Sequence, residues 1–199
     1  MFEYDGRLFR ILSFLADMII LQLIWVVFSI PLFTIGASTT AAYYAAMKKL
    51  EYGQDTVWSN FWKAFRSNFA QSTKLWLIAV AAGGVLAGDL VFSRQMPGML
   101  GAGMMVFFTV FALLYLFTLI YLFPVQSRFE NTLMRTLKNA FLMSIANIPY
   151  TILAIALAAL LAWVGFWQPR ILIVVILCGI GLYFGITSVF FLKIFKKYQ

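Results

Sequence analysis

The chain has 199 residues, of which 63% are hydrophobic and only 11% charged, and its formal net charge is +8. A soluble domain of this size carries roughly 25% charged residues, so the composition excludes an ordinary water-soluble domain. Because there is no histidine and Cys178 is the single cysteine, the sequence also excludes a Ser-His triad, a histidine-based zinc site and an internal disulfide.

Six predicted membrane-spanning segments follow one another along the chain. Five apolar runs reach at least about 18 residues, a length that crosses a bilayer as a helix. A shorter segment follows the first run; it begins with Pro31, is rich in small and hydroxyl residues, and ends before Lys48 and Lys49. In chain order the six are residues 11–30, 31–47, 75–92, 100–123, 148–166 and 171–192. We therefore predict an all-α polytopic transmembrane bundle of about six spans, arranged as three helical hairpins.

The cations decide the predicted threading. If residues 31–47 cross the bilayer, every lysine and arginine except Arg94 and Arg170 falls on one side, which the positive-inside rule identifies as cytoplasmic. Both termini are then cytoplasmic, and the basic charge is that of cytoplasmic loops rather than of nucleic-acid binding. Since 17 residues reach only about 25 Å, a protein-shielded re-entrant segment stays an alternative to a full crossing.

Two cytoplasmic segments predict amphipathic helices that lie in the headgroup plane. In residues 58–72 aromatic side chains recur at helical spacing on one face, and basic side chains lie on the other. Residues 129–144 repeat the pattern less strongly. Membrane anchoring, binding of anionic headgroups and docking to another protein would use the same side chains. These candidate residues are Trp58, Phe61, Trp62, Lys63, Phe65, Arg66, Arg128, Arg135 and Lys138.

The two amphipathic segments also suggest a repeat. A shift of 72 residues aligns Lys63 with Arg135 and Arg66 with Lys138. We treat residues 1–199 as a single integral membrane domain, with a predicted internal duplication of roughly residues 11–72 and 83–144.

Two carboxylates, Asp17 and Asp89, lie inside apolar runs, where ionisable groups are the default functional candidates. Each can instead be explained by interfacial solvation or a local ion pair, and Arg94 is five residues after Asp89. No phosphate-binding loop, HExxH, GxSxG or paired-cysteine motif occurs in the sequence. We therefore expect neither an enzymatic activity nor a cofactor or metal.

Several sequence blocks carry a resemblance to a known family. PLFTIGASTTAAYYA, FWKAFRSNFAQST, YLFPVQSRFENT and LKNAF occur in this order. In these blocks the chain resembles the bacterial YesL family, small polytopic membrane proteins of unknown function, over nearly its whole length. The family-type positions are Pro31, Thr34, Gly36, Phe61, Trp62, Phe65, Asn68, Pro124, Arg128, Phe129 and Asn131.

The resemblance implies a role beside a sugar importer in the bacterial plasma membrane, because genes of this family commonly accompany carbohydrate-uptake ABC importers. The leading hypothesis is a non-catalytic accessory membrane subunit that contacts the importer's permease subunits and membrane lipids. One alternative is an autonomous small-solute transporter or channel in which Asp17 or Asp89 couples to protons. Another is a membrane scaffold or sensor, and a homo-oligomer is compatible with each of these.

Overall fold

The computed structural model describes residues 7–53, 56–167 and 178–198, and every regular element within them is helical. The all-α prediction is confirmed. Arg170 and the start of the last predicted run, residues 171–177, lie outside the described residues. The helices are α1 (Arg7–Ser29), α2 (Ile35–Tyr52), α3 (Val57–Gln95), α4 (Gly98–Arg128), α5 (Leu133–Ala146), α6 (Ile148–Trp167) and α7 (Ile180–Phe195), with a 3-10 turn at Leu32–Thr34 before α2.

Among the residues that the structure describes, four helices are long and apolar enough to cross a membrane. They are α3, α4, α6 and the stretch Ile11–Ser29 of α1, whereas α7 is apolar but shorter in the described part of the chain. Large apolar side chains such as Val85, Leu100 and Trp163 are exposed on these helices. Apolar surfaces of this extent indicate a multi-pass membrane protein.

The helix ends follow from local backbone chemistry. Gly53, with a φ of +71°, ends α2, and its N–H donates to the Lys49 carbonyl at 3.0 Å. Met96 and Pro97 separate α3 from α4, and Gly98, with a φ of +79°, begins α4. Between Val57 and Gln95 there is no proline, and the helix runs without a break for 39 residues. Of the two predicted interfacial helices, only the second is separate, as α5, and the prediction of a separate first one is wrong.

Helix α2 is the centre of the bundle and packs against α1, α3, α4 and α7. Its small side chains let these neighbours approach closely. It runs antiparallel to the first half of α3, because the Thr40 and Ser72 hydroxyls are 2.9 Å apart and Gly36 contacts Ser72 and Trp76. Ala37, Ala41, Ala42, Ala45 and Ala46 are all fully buried.

The end of α1 packs on the start of α3, and this contact contradicts the predicted threading. The Phe28 ring lies 5.0 Å from that of Phe65 and 5.5 Å from that of Phe61. In the predicted threading Phe28 is at the outer end of a span and Phe61 is cytoplasmic, which would separate them by about 30 Å of hydrocarbon. The contact does not fit that threading, and the number of crossings stays a prediction.

The remaining helices extend this arrangement. Helix α4 returns antiparallel to α3, and the Tyr115 hydroxyl donates to the Ala79 carbonyl at 2.9 Å. Helix α5 folds back on α4, and α7 packs across α1 and α2. There the Gly181 N–H donates to Gln22 Oε1 at 2.7 Å. In both predicted repeats the amphipathic segment packs on the helix before it, while the duplication itself stays a prediction.

Gly36 provides the first test of this packing. A Cβ at this position would lie 2.5 Å from the Ser72 carbonyl oxygen and 2.6 Å from Trp76 Cβ. We expect Gly36→Ala to destabilise the protein by about 1–3 kcal/mol through overpacking, and to lower its melting temperature in detergent. Gly84→Ala is the matched control, because a Cβ there would meet nothing within 4 Å. Equal melting temperatures for the two variants would refute the close packing of α2 on α3.

Candidate functional site

Five polar residues from α3, α4, α5 and the turn before α5 form one hydrogen-bond network, called here the polar junction. Gln71 Nε2 donates to Gln126 Oε1 at 3.0 Å and to the Asn131 carbonyl at 2.6 Å. Gln126 Nε2 donates to Asn68 Oδ1 at 3.1 Å, and Thr136 Oγ1 donates to Gln126 Oε1 at 3.1 Å. Gln126, only 4% exposed, is the hub of this network.

The polar junction fixes three helices at one level. Asn68 and Gln71 are three residues apart on α3, so their side chains lie on the same helical face. Leaving a buried amide unpaired costs about 1–3 kcal/mol, so each member constrains the others. The network therefore sets the register of α3 against α4 and holds the first turn of α5 in place.

The sequence blocks that carry the family resemblance converge here. The block around Gly36 packs on Ser72, one residue beyond Gln71. Thr34 is buried, and its hydroxyl donates to the Phe28 carbonyl at 2.5 Å. Blocks that are distant in the sequence thus become direct neighbours in the fold.

Three other family-type positions have structural surroundings. The Pro124 carbonyl, in the last turns of α4, accepts a hydrogen bond from Ser127 Oγ at 2.7 Å. Phe129 packs edge-on against Phe195 of α7, with ring centroids 5.3 Å apart. Pro31 is exposed in the turn between α1 and α2.

Two ion pairs hold the end of α2. Lys49 Nζ lies 2.8 Å from Asp17 Oδ2 of α1. Arg128 donates two hydrogen bonds to Glu51, of 2.8 and 2.7 Å, in the fork geometry that makes such pairs strong. Asp17 thus forms a local ion pair, as one interpretation of its sequence position predicts. Arg128 pairs with Glu51 of α2 and does not face outward toward a partner.

Asp89 and Arg94 do not form an ion pair in the described part of the chain. Five residues apart on a helix, their side chains point about 140° from one another. Asp89 is half-buried and Arg94 is exposed near the end of α3.

The aromatic stripe consists of Trp58, Phe61, Trp62, Phe65 and Phe69. Phe61 and Phe65 are buried, whereas Trp58 is 52% exposed. Trp58 and Trp62 stack with ring centroids 6.2 Å apart, and most of the stripe packs around Phe28 of α1. Phe61 and Phe65 are therefore engaged inside the protein, whereas Trp58 and Phe69 stay exposed.

The basic residues of both amphipathic segments are exposed. Lys63 and Arg66, called here the basic pair, lie on the outer face of α3, and Arg135 and Lys138 lie on that of α5. The Arg66 guanidinium lies 4.3 Å from the centre of the Trp62 ring, a cation–π contact that orients it.

The polar junction and the ion pairs hold helices together, and the basic residues of the two amphipathic segments are exposed. Within the described ranges no three acidic or cysteine side chains come together to hold a metal ion. Its buried groups are amides and hydroxyls that donate and accept hydrogen bonds among themselves.

Sequence reasoning missed Gln71, Gln126 and Thr136. Gln126 follows an apolar run, and a neutral amide there was a usable signal. It was passed over because only ionisable groups were considered as intramembrane candidates. Gln22, fully buried on α1, was missed for the same reason.

Comparison with known proteins finds a family match and a relative, both of which are described without a function. A family model described as "Protein of unknown function, DUF624" matches residues 18–90. The chain is 28% identical over 179 residues to "Uncharacterized protein YteU" from Bacillus subtilis (strain 168), covering 85% of this chain and 79% of that protein. No solved structure matches the chain.

The polar junction makes a second test. We expect Gln126→Leu to destabilise the protein by about 2–3 kcal/mol, because Asn68 Oδ1 loses its donor and Gln71 Nε2 and Thr136 Oγ1 each lose an acceptor. Thermal unfolding in detergent measures the effect. Gln95→Leu, at an exposed position near the end of α3, is the control and should change stability little. If both substitutions shifted the melting temperature equally, the junction would not constrain the fold.

Proposed function

We propose that the protein is a YesL-type membrane protein that acts as a non-catalytic accessory subunit of an ABC-type carbohydrate importer in the bacterial plasma membrane. The sequence resemblance motivates the importer, and the family match and the relative motivate the family. The structural support is the placement of the basic pair, which favours docking to a protein over anchoring in lipid.

The height of the basic pair follows from the continuity of α3. If the apolar half that begins at Leu75 lies in hydrocarbon, Arg66 and Lys63 lie about 14 and 18 Å beyond that boundary along the helix. The headgroup layer on each side is only about 5–8 Å thick. The basic pair then projects past the headgroups into the aqueous phase.

Lipid anchoring would also need the aromatic stripe. A helix that lies in the headgroup plane buries its apolar face in the acyl boundary. Here Phe61 and Phe65 are already buried against Phe28, so this part of the aromatic face is not available to lipid. Docking to another protein is the interpretation that keeps its residues accessible.

The partner that fits the basic pair is an acidic cytoplasmic surface of an importer subunit. Charge complementarity mainly speeds encounter and selects partners. The Trp62 ring already orients the Arg66 guanidinium, so less side-chain freedom is lost on docking.

A second surface also favours an assembly. Along α1 the apolar side chains Leu12, Ile20, Leu23 and Val27 are exposed. This helix lies beside α2 and the polar half of α3, not beside its apolar half. A neighbouring subunit that covers α1 would bury this apolar stripe.

Co-purification tests the proposal. We expect the tagged protein, extracted from its native membrane in mild detergent, to recover importer permease subunits that mass spectrometry identifies. Lys63→Glu with Arg66→Glu should reduce that recovery at least fivefold, because both charges facing the acidic partner are reversed.

Lys196→Glu with Lys197→Glu is the matched control, since it makes the same charge change at exposed positions at the end of α7. It should leave recovery unchanged. Recovery of the protein alone, or as a homo-oligomer, while the importer itself stays assembled would contradict the proposal. Equal recovery by the Lys63/Arg66 variant would contradict the docking surface.

One observation favours the alternative of an autonomous transporter. Asp89 is half-buried on an apolar helix and makes no ion pair among the described residues. Asp17, by contrast, is paired with Lys49.

Proteoliposomes with a trapped pH-sensitive dye separate the two proposals. Under the accessory-subunit proposal the wild type, Asp17→Asn and Asp89→Asn all show only the proton leak of protein-free vesicles. A wild-type flux that Asp89→Asn abolishes would instead establish the transporter.

A further inference from the structure

The geometry points to a lipid ligand for α5: we infer that its exposed face binds an acidic phospholipid, with Arg135 and Lys138 on the phosphate and Leu142 and Ile145 on the acyl chains. The inference uses α5 and the helices on either side of it, α4 and α6. It needs α6 to be a membrane span, and it depends neither on the number of other crossings nor on the proposed importer.

Buried contacts fix which face of α5 points outward. Thr136 Oγ1 donates to Gln126 Oε1 of α4 at 3.1 Å. Thr136, Ala140 and Ser144 are fully buried and lie four residues apart, so they form one helical face toward the protein. The opposite face of α5 is therefore the one that another molecule can reach.

This exposed face carries cations in its first half and apolar side chains in its second. At 100° a residue, Arg135, Lys138, Leu142 and Ile145 all lie within about 40° of the direction opposite the buried face. Leu142 is 50% exposed and Ile145 40%, and both cations are exposed. Met134, in the first turn, is an exposed apolar side chain beside the cations. A phospholipid has the same order, with its phosphate at one end and its acyl chains at the other.

The apolar end of α5 lies where a membrane span begins. Asn147 alone separates α5 from α6, which is long and apolar enough to cross a bilayer. Thr151 Oγ1, in the first turns of α6, donates to the Ser144 carbonyl at 2.8 Å, so the two helices keep a fixed orientation. Ile148 and Ile152 are exposed at the start of α6. The edge of the hydrocarbon therefore lies near the end of α5.

This edge places the cations of α5 at the height of the headgroups. Measured along the helix, Lys138 lies about 6 Å and Arg135 about 10 Å before Leu142. A headgroup layer is about 5–8 Å thick, and a long basic side chain extends toward a phosphate while its stem covers apolar surface. An inclined helix brings both residues closer to the edge. The basic pair differs, because Arg66 lies about 14 Å beyond the start of the apolar half of α3.

Arg135 and Lys138 suit a phosphate group. They are three residues apart on one face, where like charges repel each other unless an anion lies between them. The helix Leu133–Ala146 contains no acidic residue, and neither cation forms an ion pair with Glu130 or with another described carboxylate. An acidic phospholipid supplies the missing negative charge, and its chains cover the apolar half of the same face.

Lipid titration tests the inference. We expect phosphatidylglycerol, added to the detergent-purified protein, to bind at least fivefold more tightly than phosphatidylcholine, as counted from lipid adducts by native mass spectrometry. Arg135→Gln with Lys138→Gln should remove this preference. Glycerol 3-phosphate at the concentration of the lipid should not compete, because it lacks the acyl chains that Leu142 and Ile145 contact. Competition at equal concentration would contradict a lipid ligand.

Lys63→Gln with Arg66→Gln is the matched control, since it removes one lysine and one arginine from the exposed face of the other amphipathic segment. It should keep the preference for phosphatidylglycerol. Equal losses in the two double variants would show only attraction by net charge. An unchanged preference in the Arg135/Lys138 variant would leave α5 to a protein partner. Either result would overturn the inference.

The position of the bound lipid needs a second readout. A bimane label at Ile145→Cys, in a Cys178→Ser background and in phosphatidylcholine vesicles, should be quenched more by chain-brominated phosphatidylglycerol than by chain-brominated phosphatidylcholine at equal mole fraction. Val85→Cys, exposed on the apolar half of α3, is the control and should be quenched equally by both. Equal quenching by the two lipids at Ile145→Cys would exclude an acidic lipid at α5, whether or not the importer is the partner.

Discussion

The backbone hydrogen bonds of α3 continue past Lys74 and Leu75, so that its polar and apolar halves form one rigid rod of 39 residues. Such a helix is about 58 Å long, roughly twice the hydrocarbon thickness of a bilayer. Half of it must therefore lie outside the hydrocarbon. The height of the basic pair follows from this constraint.

The sequence blocks matter because they fix the neighbours of that rod. Gly36 allows α2 to contact the backbone of α3 at Ser72. The polar junction, which begins at the neighbouring Gln71, connects α3 with α4 and α5. The ion pairs of Lys49 and Glu51 hold the other end of α2. Close packing, buried amide hydrogen bonds and ion pairs thus stabilise different parts of one bundle. The basic pair stays exposed for a partner.

Much of the helical fold could be predicted from the sequence. Long apolar runs predict the helices, Pro31 predicts the break after α1, and the small residues of α2 predict its close packing. The continuity of α3 was missed because a change from aromatic-basic to apolar side chains was interpreted as a change of helix. No proline separates the two parts, and helical hydrogen bonds do not depend on which face is apolar. The number of crossings stays a prediction. Of the site, the exposure of Lys63 and Arg66 was predictable, whereas the pairing of Gln71 with Gln126, 55 residues later, requires the fold.

The distance between two spin labels on α3 tests the continuity of this helix most directly. With Cys178→Ser, labels at Ser59→Cys and Gly88→Cys lie at exposed positions on its two halves. An unbroken helix separates these Cα atoms by about 44 Å, whereas a helix that turns into the membrane plane near Lys74 separates them by about 31 Å. Double electron–electron resonance in lipid nanodiscs should give a single distribution near the longer distance. A distribution centred near the shorter one would contradict the account.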